Sequence, residues 1–223
     1  GIETHVQAIA RAQNASGLDV TVACINHLDD RNQDVWCDRL ARTSRQSATD
    51  GGVRLEKFGK FGILQIDAHA DLRDSYEGFE FSHASIMFNA LKIKEVEKLI
   101  QVGIRDFCEA ELEIINHANG RVKTFFDREM KQAQYNGDSW DRICNRIVHE
   151  LPQNIYLSFD IDGLDPKLCP NTGTPVSGGL ETEQVLFLLE KIVNSGKRII
   201  AFDINEISPG VDEWDANVGA RLL

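Results

Sequence analysis

The chain has 223 residues, 42% of them hydrophobic and 26% charged, with a formal net charge of −11. That size and balance suit one globular α/β domain spanning 1–223 with a sizeable core, while the acidic charge argues against a nucleic-acid surface and is compatible with a cationic small substrate. No apolar run approaches the roughly 18 to 20 residues of a membrane span and the first residues lack a signal-peptide pattern, so the expectation is a soluble, cytoplasmic protein.

In chain order, Ile2, Val6, Ile9 and Ala10 at helical spacing predict a helix over 2–13, and a second helical pattern runs from about Val20 to Arg45. His27, beside Asp29 and Asp30 in that helix, reads as a solvated surface histidine. After a polar Gly-rich break at 47–52, the run Phe61, Ile63, Leu64, Ile66 predicts a buried strand that ends abruptly in Asp67, His69 and Asp71. Leu72 to Phe81 is irregular and reads as an active-site loop; Ser82 is the N-cap candidate for a helix to about Leu91. Leu99 to Ile104 is a second buried strand closed by Arg105 and Asp106. A helix over 109–117, a strand over 121–126 and a helix over 139–150 continue the alternation.

Asn154 to Asp162 repeats the first motif: a β-branched and aromatic run that ends in Asp160 and Asp162, spaced by two. A Gly/Pro/Thr-rich loop over 163–179, a helix over 181–194 and a strand over 198–203 follow, and Trp214 near the end reads as a core residue. Strands alternating with helices predict an α/β fold with a mainly parallel, three-layer α/β/α architecture. The five cysteines are odd in number, scattered and without a Cys-x-x-Cys pair, so neither a disulfide framework nor a zinc ribbon is indicated.

Side chains spaced by two share a side if the chain stays extended, so Asp67, His69 and Asp71 can converge at the carboxyl edge of the sheet, where open α/β folds bind ligands. Acids at the ends of two buried strands repel one another unless a cation lies between them. Carboxylates with an imidazole suit Mn²⁺ or Zn²⁺ and disfavour Ca²⁺. The reading is a metal cluster of Asp67, His69, Asp71, Asp160 and Asp162.

The segments Asp-Ala-His-Ala-Asp-Leu-Arg (67–73), Ser-His-Ala-Ser (82–85), Ser-Phe-Asp-Ile-Asp-Gly-Leu-Asp-Pro (158–166), Thr-Gly-Thr-Pro-Val-Ser-Gly-Gly-Leu (172–180) and Phe-Asp-Ile-Asn-Glu (202–206) occur together in this order. In this the sequence resembles the arginase/agmatinase/formimidoylglutamase family of ureohydrolases over about residues 60 to 223, with wording closest to the agmatinase-like branch. The resemblance implies an arginase-like fold with two Mn²⁺ per chain. By similarity Asp67 and Asp160 bridge them, His69 and Asp162 complete one, and Asp71 binds the other. His83 matches the proton-shuttling histidine, Glu206 the acid that faces the guanidinium, and Thr174 lies in the substrate-lining loop.

One motif departs. Relatives carry a Gly-Gly-Asp/Glu-His-Ser segment whose histidine completes the second metal, whereas here Gly51-Gly52 leads into Val53-Arg54 and no histidine lies between His27 and His69. Either the chain as given omits segments, at its N-terminal part, near 50–53 and at its end, or the ligand is absent; the intact state of the other motifs favours omission. The implied reaction is hydrolysis of agmatine to putrescine and urea, with arginase or formimidoylglutamase activity as the alternative. The rival classes are a catalytically inactive ureohydrolase-like subunit and a single-metal amide hydrolase. The resemblance further implies a homo-oligomer, trimer or hexamer.

Overall fold

A computed structural model describes residues 59–208 and 210–223. The helices expected over 2–13 and about 20–45, with His27, lie outside the described residues. Within them the strands are β1 (Phe61–Ile66), β2 (Val96–Ile104), β3 (Val122–Phe126), β4 (Asn154–Asp160) and β5 (Arg198–Asn205). The helices are α1 (Ile86–Ala90), α2 (Glu109–His117), α3 (Asp127–Tyr135), α4 (Trp140–Glu150), α5 (Thr182–Asn194) and α6 (Trp214–Leu222). All strand pairs are parallel, in the order β3-β2-β1-β4-β5.

This order places the motif strands side by side. The chain leaves central β1 toward β2 and β3, then returns to lay β4 on the other flank of β1. The carboxyl ends of β1 and β4 therefore border the topological switch point, the crevice where open α/β sheets bind ligands. Every residue of β1 is buried, as a strand covered on both faces requires. On one face Leu64, Ile66, Ile100, Val102, Leu157 and Phe159 pack with residues of α3, α4 and α5. On the other, Phe61, Ile63, Leu99 and Val122 pack with residues of α1 and α2.

Two local expectations are corrected, and two local features are additional to them. The helix expected from Ser82 begins as a 3-10 turn over His83–Ser85, and Ser82 makes no side-chain cap; its hydroxyl pairs with that of Ser85 at 2.8 Å instead. Trp214 is 45% exposed, because it opens α6 and its indole N–H reaches the carbonyl of Lys167 at 3.2 Å rather than a core position. Helix α3 had no sequence counterpart: its nine residues are almost all polar and it anchors through buried Met130. The loop over 72–81 holds a tight turn, with Tyr76 and Phe79 bridged across Glu77 (φ 51°) and Gly78 (φ 87°).

Candidate metal centre

Beyond β1 the chain does not stay extended. Asp67 caps the strand end by accepting the His69 N–H at 2.6 Å, and His69 forms a short bridge to Asp106. Asp71 then adopts φ 55°, a left-handed conformation costly for a residue with a Cβ. It is held there from both sides. Its carbonyl accepts the N–H groups of Met87 and Phe88 at 3.0 and 3.1 Å, and buried Glu111 takes the following N–H, that of Leu72, at 2.9 Å. The carbonyl bonds dock α1 on the Asp71 segment, and the Arg73 N–H, donating to the Ala84 carbonyl at 3.1 Å, docks the His83–Ser85 turn beside it.

From β4, the Asp160 carboxylate accepts the N–H of Asp162 at 3.1 Å, closing a 3-10 turn that folds Asp162 inward. One oxygen of Asp162 accepts the Ala68 N–H at 3.1 Å; the other lies 3.2 Å from Nδ1 of His69 and 3.3 Å from the Thr174 hydroxyl, which donates to it. Nδ1 of His69 also lies 3.4 Å from Asp67. Ligand atoms of Asp67, His69 and Asp162 all fall within 4.8 Å of one another, a donor set fit for a divalent transition cation.

The electrostatics fit the same conclusion. Burial and the neighbouring Asp162 charge, against the hydrogen bond from His69, push Asp67 up to about 6. Burial, then the Asp67 charge, raises Asp71 well above the carboxylate range. Burial, then Asp67, Asp162 and Glu206, does the same to Asp160. Burial opposes charge on His69, yet its hydrogen bonds to Asp162 and Asp67 win and hold the imidazolium up to about 10; in return Asp162 is lowered in spite of its burial. An excess of buried negative charge of this kind is what a cation compensates.

Of the remaining predicted residues, Glu206 follows β5 at φ 59° and stands against the Thr-rich loop: its carbonyl accepts the Thr172 hydroxyl at 3.1 Å, and its carboxylate lies over Gly173. That loop is fixed in turn by fully buried Asp215 of α6, which accepts both the backbone and side-chain N–H groups of Asn171 at 2.9 Å. His83 is exposed, its ring edge-on to Tyr76 at 5.4 Å, and Tyr76 also receives the Arg73 guanidinium at 5.0 Å. Asp71, Asp160, Glu206 and Thr174 thus border the site, the close-packed group is Asp67, His69 and Asp162, and His83 makes its ring contact with Tyr76 outside that group.

The two residues that close β2, Arg105 and Asp106, reach the site, though the sequence gave them no role there. Asp106 places an oxygen 3.8 Å from Nε2 of His69. Arg105 spends its guanidinium on backbone carbonyls of Asp162, Leu164 and Val176 at 2.8 to 3.1 Å, fastening the loop after β4. Gly163 lies so close to β1 that a Cβ there would meet the Asp67 nitrogen at 2.8 Å. Because that neighbour is backbone and cannot swing aside, Gly163→Ala is expected to lower stability by about 1–3 kcal/mol in urea unfolding. A wild-type unfolding free energy would contradict the packing.

Residues 50–223 match the family model of the arginase family. The chain is 36% identical over 168 residues to the N(1)-aminopropylagmatine ureohydrolase of Thermus thermophilus, an overlap of 75% of this chain and 53% of that protein. It is 30% identical over 180 residues to the guanidinobutyrase of Pseudomonas aeruginosa, 75% of this chain and 52% of that one. Among solved structures it superposes on the agmatine ureohydrolase of Thermoplasma volcanium with a TM-score of 0.62 and 27% identity, covering 77% of this chain and 55% of that chain. The chain spans about half the length of the curated relatives it matches.

Proposed function

The chain belongs to the arginase family, and we propose that it is a manganese-dependent ureohydrolase that cleaves an aminoalkylguanidine of the agmatine type into urea and an amine. The observation that carries this reading is the convergence of Asp67, His69 and Asp162 at the switch point, with Asp71, Asp160 and Glu206 around them. Mn²⁺ bound there supplies Lewis acidity and lowers the pKa of water enough to furnish a nucleophile at neutral pH.

The protein's own residues do the rest. Asp67, Asp160, His69 and Asp162 would hold one cation, and Asp67 and Asp160 together with Asp71 would hold a second. Asp71, fixed by its clamped backbone, orients the attacking water. Glu206 accepts charge-assisted hydrogen bonds from the guanidinium and aims its carbon at that water. His83 delivers the proton to the departing amine. Thr174 holds Asp162 by the oxygen that faces His69, so the loop that lines the substrate also steadies a ligand.

A preference for an amine tail over an amino acid rests on two cations near the site among the described residues. Arg73 is engaged by Glu111 at 3.7 Å and by Tyr76, and Arg105 by backbone carbonyls, so neither is offered to a substrate α-carboxylate. Agmatine, aminopropylagmatine and 4-guanidinobutyrate, the substrate types in the relatives' names, form the panel, with arginine and formiminoglutamate added.

A single-cation site is the rival, favoured by the fact that the close-packed ligands belong to one cation position. Metal content per chain after Mn²⁺ loading, measured with urea release across the panel, separates the two. Two Mn²⁺ and urea from agmatine or its aminopropyl derivative are expected. One Mn²⁺ with no urea from any compound would overturn the proposal, and arginine or 4-guanidinobutyrate, each bearing a carboxylate, as the best substrate would overturn its amine-tail part.

A further inference from the structure

Beneath the ligands, a row of polar side chains crosses the buried sheet at one level. The registers pair Thr124 of β3 with Gln101 of β2, Gln101 with Gln65 of β1, Gln65 with Ser158 of β4, and Ser158 with Asp203 of β5. Gln65 and Gln101 are 1% and 0% exposed. An apolar core has no reason of its own to hold two buried amides, each costly unless its hydrogen bonds are made.

Their bonds run in one direction. The Thr124 hydroxyl donates to Oε1 of Gln101 at 2.7 Å; Nε2 of Gln101 donates to Oε1 of Gln65 at 2.7 Å and to the Ala70 carbonyl at 2.7 Å. Nε2 of Gln65 then donates to Oδ2 of Asp67 at 2.9 Å and to the His69 carbonyl at 3.2 Å. The orientation of both amides follows from the chain itself, since turning Gln65 over would set its oxygen against a carboxylate. The chain therefore ends by offering protons to one oxygen of Asp67, and on the way it grips the backbone at His69 and Ala70, immediately before the left-handed Asp71.

We propose that Gln65 and Gln101 are positioning residues for the metal ligands, holding the Asp67 carboxylate and the His69–Asp71 turn in the geometry that takes up Mn²⁺. The inference rests on the manganese reading above. Gln65 holds Oδ2 of Asp67, which leaves Oδ1, the acceptor of the His69 N–H, turned toward the His69 ring, and Gln101 fixes Gln65. Neither touches substrate. Outer partners of this kind typically control metal affinity by about 10- to 100-fold.

The test is calorimetric titration of chelator-treated protein with Mn²⁺ alone, beside the thermal midpoint of the metal-free form. Gln65→Met keeps the length of the side chain and removes its donors; it is expected to weaken Mn²⁺ binding about 10- to 100-fold. Thr124→Val, at the far end of the row, is expected to weaken it by a smaller factor with the fold intact. A purely structural role would lower the metal-free midpoint and leave the dissociation constant of the folded protein at its wild-type value, and that result overturns the proposal. If Gln65→Met shows no cooperative transition, Thr124→Val decides by the same criterion. Wild-type protein that takes up no Mn²⁺ would overturn both this inference and the manganese reading, whereas wild-type uptake with unchanged variants overturns the positioning role alone.

Discussion

Asp160→Asn is expected to abolish urea release and Mn²⁺ retention together while raising the melting temperature of the metal-free protein. The Asp160 carboxyl is burdened first by burial and then by the charges of Asp67, Asp162 and Glu206, which is why its proton is held well above the ordinary range. Asparagine keeps the oxygen that accepts the Asp162 N–H and removes the repelling charge. The metal-free fold gains, by a few degrees at about 2–4 °C per kcal/mol for a chain of this size. For a proposed direct ligand the expected loss of metal affinity exceeds the roughly 100-fold that outer partners reach. An active, metal-loaded variant would refute the ligand role, and a lower metal-free midpoint would refute the repulsion.

The second large effect is with pH. In the metal-free protein the imidazolium of His69, paired with Asp162 and Asp67, persists to about 10, so a cation that ligates its ring must first displace a proton. Between pH 7 and 9 the Mn²⁺ affinity is expected to rise about tenfold per unit, with about one proton released per ring-bound cation. Below about 6, where Asp67 also protonates, a second proton must leave and the dependence steepens. The sign for the fold is opposite. A histidine whose folded pKa is raised contributes stability that is complete below about 6.5 and is lost as pH climbs through about 10. Titrations with Mn²⁺ in buffers of different ionisation enthalpy count the protons, and an affinity flat across pH 7 to 9 would sink the competition.

Much of this site was legible in the residues. The apolar runs that stop at Asp67 and Asp160 are visible because buried parallel strands admit few polar residues before their ends, and β1 and β4 indeed lie side by side. Alternation failed at Asp71, since the argument assumed an extended chain and the backbone turns left-handed there. Gln65 and Gln101 were each in plain view within an apolar run, but their partnership depends on the register between strands, which no single run contains. Helix α3 was hidden because a short helix anchored by one buried methionine carries almost no apolar period. Trp214 was misplaced because size alone says core, whereas its indole N–H found an acceptor at the rim.

The bond between Asp215 and Asn171 ties the nine-residue helix α6 to the loop that bears Thr174. Segments joined in this way open as one cooperative unit rather than by their neighbourhood in sequence. The amide of Asn171 should accordingly exchange with solvent at the rate at which α6 undocks, slower than a loop amide and unrelated to the rate for β4. Through Thr172 that undocking reaches the backbone of Glu206, so the docking of the last helix sets how long the Thr172–Glu206 edge of the site stays assembled.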